Sequence, residues 1–235
     1  MHFGVVTFPG SSCEQDVIHA LRFLGYQADY IWHQDTDLSG FDAVVLPGGA
    51  SYGDYLRCGA IARYSPVMTS VVEFARAGHP VIGICNGFQI LTEIRLLPGA
   101  LLCNAGLKFI SKSQSFRVEQ NVCKWLNLAP GTVLQMPISH NYGNYTCSQA
   151  TLAALQQNKQ IVLRYCASGG ASMPGGCAPN GALDDIAGIC NERGNVFGLM
   201  PHPERVTDGF SDGQPREGAA FFTAIVTYAR EVSGK

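Results

Sequence analysis

Four short apolar runs set the frame for this chain. They lie at residues 2–8, 27–32, 42–46 and 80–84, and the stretches among and after them repeat apolar residues at helical spacing. Val17, Ile18, Leu21 and Leu24 fall on one face of a helix over residues 14–24, with Gly25 as its stop signal. Ser65 and Pro66 supply an N-cap and a first-turn proline for a second helix running to about Ala77, closed by Gly78. A third helix is expected over residues 86–96. The order strand, helix, strand, strand, helix, strand, helix predicts an α/β fold: a mostly parallel central sheet with helices on both faces, in flavodoxin-like layers. Strands covered on both faces explain why these runs are apolar throughout rather than at every second position.

The second half follows a different rhythm. Residues 116–122, 132–138, 161–165, 186–191 and 196–200 read as short strands joined by turns, most simply antiparallel additions to the same sheet, and residues 217–232 as a closing helix. Residues 168–181 (SGGASMPGGCAPNG) form a glycine- and proline-rich loop, functional or mobile, to which the sequence assigns no role. No linker or internal repeat interrupts the chain, so residues 1–235 are read as one domain.

Charge and cysteine usage exclude several functions. A net charge of −2 with scattered Lys and Arg gives no basic field for nucleic acid. No apolar run approaches the roughly 18 residues of a membrane span, and the start MHFGVVTFPG lacks a signal-peptide layout, so a cytoplasmic protein is expected. Nine cysteines, an odd number without a CxxC pair, read as reduced thiols, and neither they nor the six histidines fall at zinc-ligand spacings. No metal is expected.

Most cysteines in such a chain are small buried hydrophobes. Cys85 differs because Gly83 and Gly87 flank it where the strand 80–84 meets the helix at Asn86. This is the layout of a nucleophile elbow with sulfur in place of oxygen: small neighbours let the chain turn sharply, and the helix N-terminus stabilises a thiolate and offers N–H groups to an oxyanion. A thiol nucleophile needs a base and the base an orienting group. His202 and Glu204, in the sequence PHPE, are one residue apart and project to the same side of an extended segment, with Pro203 keeping His202 out of helical geometry. His2, His19 and His79 have no acidic neighbour, and His33 with Asp35 repeats the spacing without a proline. His140 ends a strand and enters a loop of small polar residues, a place suited to lining a site.

These residues resemble the class I glutamine amidotransferases. GICNGFQ (83–89) fits their G-x-C-x-G-x-Q motif, and HPE (202–204) fits the remainder of a Cys-His-Glu triad. The stretches FPGSSCEQD (8–16), LPGGASYGDYLRCGAIARYSPVM (46–68), LKFISK (107–112), PISHNYGNY (137–145) and IAGICNERGNVFGLMPHPER (186–205) resemble the branch that feeds ammonia to an ATP-dependent synthetase in the fourth step of purine synthesis. The resemblance covers nearly the whole chain. It implies that Cys85 attacks the carboxamide of L-glutamine, that His202 is base and acid, and that Glu204 orients it. It implies an oxyanion hole from N–H groups at Gly48, Gly49 and Asn86, and substrate contacts from Gln89, His140, Asn141 and Tyr142. It also implies partners, a synthetase subunit and a small accessory subunit, with no cofactor in this chain and with ATP and Mg in the synthetase.

Two stretches depart from the family pattern. Asn141-Tyr142 stands where glycine and an acidic residue are expected, a change a tight loop can absorb because asparagine tolerates positive φ. The 168–181 loop keeps only Pro179-Asn180-Gly181 of the pattern. Two further readings keep the fold: a glutaminase serving another synthetase, such as that of pyridoxal phosphate, and a non-catalytic regulatory subunit. SYGDYLR and RYSPVM argue against the first, and the intact Cys85, His202 and Glu204 against the second.

Overall fold

The computed structural model describes residues 1–208 and 217–234. Among them, nine strands form one sheet in the order β2-β1-β3-β4-β11-β10-β9-β6-β7. Its first part is built from β1 (His2–Thr7), β2 (Gln27–Trp32), β3 (Ala43–Leu46) and β4 (Val81–Ile84), all parallel. Helix α1 (Glu14–Phe23) connects β1 to β2, α2 (Pro66–Arg76) lies between β3 and β4, and α3 (Asn86–Glu93) follows β4, in the expected order. Every residue of β3 and β4 is buried, which is the condition that makes the runs apolar throughout. Ser65 does stand at the start of α2, but its hydroxyl bonds to the Tyr52 hydroxyl at 2.7 Å instead of capping the helix.

The second half departs from the sequence expectation in five places. β11 (Val196–Leu199) is not an antiparallel addition: it lies parallel on β4, with Val196 opposite Val81 and Leu199 opposite Ile84, and pairs antiparallel only with β10 (Ile186–Cys190). A turn joins β10 to β11, but β11 also fills the open edge of β4, so the parallel sheet gains a fifth member from a distant part of the chain. β6 (Ile110–Val118) begins six residues before the expected 116, because its first half (SKSQS) is polar and largely outward-facing and carries no apolar signal. The short pair β5 (Ala100–Leu102) and β8 (Asn144–Thr146) is absent from the apolar pattern. So is α4 (Gln149–Gln157), which buries only Leu155 although Ser148 caps it through the Thr151 N–H at 3.1 Å. β7 (Val133–His140) and β9 (Ile161–Cys166) complete the antiparallel flank. The closing helix is two segments, α5 (Ala219–Thr223) and α6 (Ile225–Ser233).

This topology puts the carboxyl ends of β1, β3, β4 and β11 side by side. Loops leaving adjacent parallel strands at that end form the usual ligand crevice of such sheets.

Candidate active site

The corner between β4 and α3 is built without spare room. Cys85 sits at φ 50°, ψ −101°, a conformation outside the ordinary regions for a residue with a Cβ. Two bonds fix it: the Cys85 N–H donates to the Leu199 carbonyl at 2.7 Å, and the Gly87 N–H to the Pro47 carbonyl at 3.1 Å. A Cβ at Gly87 would lie 2.1 Å from the Leu46 carbonyl oxygen, and one at Gly83 would lie 2.5 Å from the Gly87 backbone. The flanking glycines are therefore a steric requirement of the turn. The thiol, in a residue only 3% exposed, reaches toward the Ser139 carbonyl at 3.7 Å.

His202 and Glu204 come from the loop after β11. The segment is not extended as the spacing suggests, since Pro203–Val206 forms a short 3-10 turn, but His202 itself stays non-helical at φ −106°, ψ 85° and its Nδ1 meets Glu204 Oε1 at 2.6 Å. Both residues are buried. His202 N–H donates to the Pro137 carbonyl of β7 at 3.0 Å, tying the base to the antiparallel flank. Burial is the largest influence on the imidazole and lowers its pKa, yet the Glu204 charge, with interactions from the Cys85 sulfur and from Glu204, outweighs it and holds the pKa well above the ordinary range. Nε2 has no hydrogen bond of ordinary geometry and is left for the thiol side.

Gly48 lies beneath this pair. A Cβ there would stand 2.6 Å from the His202 ring and 3.4 Å from the Cys85 Cβ. Gly49, at φ 95°, backs onto Ser12, so the turn after β3 approaches the thiol as bare backbone. Asn86 and Gln89 are both buried; the Asn86 amide donates to Gln89 Oε1 at 2.9 Å, and the Gln89 amide to the Tyr142 carbonyl at 2.6 Å. Cys85, Gly49, Gln89, His140, Asn141, Tyr142 and His202 line one cavity of about 400 Å³. The structure thus brings together the residues singled out from the sequence, with Gly48 and Asn86 packed against that wall.

The loop carrying His140, Asn141 and Tyr142 is held by two asparagines that no sequence pattern points to as loop supports, apart from the Pro-Asn-Gly around Asn180. Asn104 donates to the His140 carbonyl at 3.0 Å, and its Oδ1 accepts from the Gly143 N–H at 3.0 Å and from His140 Nδ1 at 3.1 Å. Asn180 donates to the Gly143 carbonyl at 2.8 Å and the Tyr165 hydroxyl at 2.9 Å. Both are fully buried. The Pro-Asn-Gly at 179–181 was the one available signal, and it marks the residue that links the glycine-rich loop to the site. Burial, followed by the nearby His202, lowers His140 to about 4, so it is neutral at pH 7. Asn141 does not adopt positive φ, so the accommodation expected of it is not needed.

A second cysteine lies close to the same imidazole. One ligand atom each from Cys13, His202 and Glu204 lie within 4.8 Å of one another, all buried, a group that could hold a metal ion. These atoms have other partners: Arg205 donates to Cys13 Sγ at 3.4 Å, and His202 and Glu204 bond each other. A guanidinium there opposes a cation. Cys13 also lacks what Cys85 has: its backbone is unstrained at φ −101°, ψ 2°, and burial, above all, raises its thiol. The remaining histidines sit elsewhere: His2 on Asp29 at 2.8 Å, His19 on Asp208 at 2.9 Å, His33 on the Tyr52 hydroxyl at 2.8 Å and not on Asp35, and His79 stacked on Phe74. All nine cysteines are free, and no helix among the described residues is long and apolar enough to cross a membrane.

Residues 1–229 match the model of the CobB/CobQ-like glutamine amidotransferase domain. The chain is 51% identical over 236 residues to phosphoribosylformylglycinamidine synthase subunit PurQ of Thermomicrobium roseum, covering 99% of this chain and 98% of the relative. It is 50% identical over 230 residues to the subunit of the same name from Moorella thermoacetica, covering 97% and 96%. A chain in the structure of PurLQS from Thermotoga maritima superposes with a TM-score of 0.84 at 38% identity, covering 97% of this chain and 98% of that one.

Proposed function

The chain belongs to the family of CobB/CobQ-like glutamine amidotransferase domains, and from that premise we propose how its site works and whom it serves. It is a glutamine amidotransferase, the glutaminase subunit of phosphoribosylformylglycinamidine synthase in purine biosynthesis. In our reading, Cys85 passes its proton to His202 Nε2, and the sulfur attacks the carboxamide carbon of L-glutamine. The N–H groups at Gly48, Gly49 and Asn86 receive the oxyanion. His202 then protonates the leaving nitrogen as the carbon–nitrogen bond breaks, which yields ammonia and a glutamyl thioester. Water attacks the thioester carbon, His202 takes its proton, and the thiol leaves with glutamate released. Glu204 fixes the imidazole so that Nε2 faces the sulfur and stabilises the imidazolium between the steps.

The chain works with a synthetase subunit. We read a small accessory subunit as the third member, with ATP and Mg handled by the synthetase, no cofactor in this chain, and a cytoplasmic location. Gln89 and the main-chain groups of His140, Asn141 and Tyr142 hold the substrate's amino-acid end, and hydrolysis stays slow until the synthetase closes the site.

The observation that carries the reading is the strained Cys85 corner packed against the buried His202–Glu204 pair. Replacing Cys85 with alanine tests it. Glutamine hydrolysis should fall to background while ammonia-dependent amidine formation in the assembled complex persists, and Cys13→Ser should leave glutamine hydrolysis measurable. Hydrolysis that survives loss of Cys85, or that vanishes only with Cys13, would overturn the assignment.

A further inference from the structure

Glutamine presents three groups to a site, a carboxamide, an α-ammonium and an α-carboxylate. The chemistry at Cys85 touches only the first, so selection against simple amides depends on what the pocket offers the other end. Among the described residues lining the 400 Å³ cavity, Asp54 supplies the only carboxylate. Glu204 is buried behind His202 and bonded to it, and the facing loop, Ser139 to Tyr142, contains no acidic residue.

The backbone holding Asp54 is unusual. Tyr52 and Asp54 both have φ 53°, Gly53 has 65° and Leu56 has 68°, so three residues with side chains occupy a region that costs free energy without glycine. Surrounding bonds hold the segment in place. The Tyr52 N–H donates to the Pro9 carbonyl at 2.8 Å, and the Tyr52 hydroxyl sits between His33 and Ser65. Asp54 Oδ1 accepts from the Ser51 N–H at 3.3 Å and from the Asn86 amide at 3.2 Å, and the Cys58 thiol lies beside the same carboxylate. Strain of this kind persists where the position of a side chain matters.

The bond to Asn86 places the carboxylate one side chain away from the residue that follows the nucleophile. An extended glutamine separates its carboxamide carbon from its α-nitrogen by about 5 Å, a span set by ordinary bond lengths. The same Asn86 amide reaches Gln89, and Gln89 reaches the Tyr142 carbonyl, so one hydrogen-bonded line runs from Asp54 to the glutamine loop.

We propose that Asp54 accepts the α-ammonium group of the substrate and is the residue by which this site selects an amino-acid amide over a simple amide. The proposal rests on the glutaminase reading of the site. Its test uses the full chain assembled with its synthetase and the rate at which Cys85 is alkylated by three electrophiles: a diazoketone analogue of glutamine, the same diazoketone lacking the α-amino group, and iodoacetamide. In the wild type the amino diazoketone should react about 10- to 150-fold faster than its deamino counterpart, the range for a charge-assisted hydrogen bond. Asp54→Asn should erase that ratio and leave iodoacetamide reactivity unchanged. Equal rates for the two diazoketones in the wild type, or a ratio that survives Asp54→Asn, overturns the role of Asp54. A uniform fall with all three reagents also overturns it, because it marks Asp54 as a structural support of the corner. If the wild type shows no labelling of Cys85 by the amino diazoketone while iodoacetamide still reacts, the glutaminase reading falls first. The wild-type comparison keeps the role open to refutation even if the variant does not fold, because equal rates overturn it without the variant.

Discussion

Two corners meet at the pocket and are held in opposite ways. The corner at Cys85 depends on absent side chains: Gly83, Gly87 and Gly48 let backbone and sulfur approach to distances that any Cβ would prevent. The corner at His140 depends on two present ones, since Asn104 and Asn180 bond the loop's carbonyls and N–H groups from behind. The first arrangement is rigid because nothing in it can move without a clash. The second holds only as long as its hydrogen bonds are intact. The difference teaches which faults each should show. Damage at the Cys85 corner should appear in the chemical step, and damage at the His140 corner in substrate binding.

Gly48→Ala gives the sharpest break. The new Cβ would stand 2.6 Å from the His202 ring, which is buried and cannot swing away. Turnover of glutamine should fall by about 10²- to 10⁴-fold, the contribution of a positioned base, while the Michaelis constant changes little. Steady-state kinetics in the assembled complex checks this, and turnover within a few-fold of wild type would show that the corner has room the structure does not reveal.

Asn104→Ala tests the other side. It removes bonds to His140, Gly143 and Lys108 in a buried position, and about 2–3 kcal/mol of stability should be lost with them. The Michaelis constant for glutamine should rise while the rate of Cys85 alkylation by iodoacetamide stays the same. Urea unfolding and the two kinetic measurements separate these effects. If iodoacetamide reactivity falls along with affinity, the two corners are one mechanical unit and the contrast fails.

How much of this could be read from the sequence differed between the corners for the same reason. Gly83, Cys85 and Gly87 are adjacent, so a steric requirement left a local pattern, and the apolar runs of β3 and β4 announced strands covered on both faces. Asn104 and Asn180 are 76 positions apart and meet only after folding. The Pro-Asn-Gly around Asn180 is the one local mark, and nothing in it points to Asn104. The direction of β11 is not legible because apolar content reports burial and not orientation, and α4 leaves little trace because a helix that buries one leucine has little amphipathic signal. The polar first half of β6 escaped for a related reason, being a strand whose side chains face largely outward.

His140 offers a smaller effect with a definite sign. Its folded-state pKa is lowered to about 4 from the usual 6.5, chiefly by burial. Between those values the unfolded chain binds the proton and the folded chain does not, so stability is lost as pH falls through that window. His140→Gln should remove this loss: relative to wild type, the variant should gain about 2 kcal/mol between pH 7 and pH 5. Parallel urea titrations at the two pH values measure it. An unchanged difference would mean that the imidazole takes up its proton in place, and that the His140 corner is less enclosed than its hydrogen bonds suggest.

Asn141→Gly is the smallest change and addresses the first of the two positions, Asn141 and Tyr142, where this loop differs from its family pattern. Asn141 is exposed, does not occupy positive φ, and contributes to the corner through its carbonyl, which accepts from the Asn104 N–H at 2.8 Å. Glycine keeps that carbonyl. It also widens the conformational freedom of the unfolded chain, so a loss of about 0.5–1 kcal/mol in stability is expected, with both kinetic constants for glutamine unchanged. Because the corner is held from behind by Asn104 and Asn180, the residue at its tip is free to vary, which is how asparagine can stand there at all. A severalfold gain in glutamine turnover on introducing glycine would reverse that conclusion: the working loop would then need a backbone conformation that Asn141 resists, and the flexible corner, not the rigid one, would be limiting the enzyme.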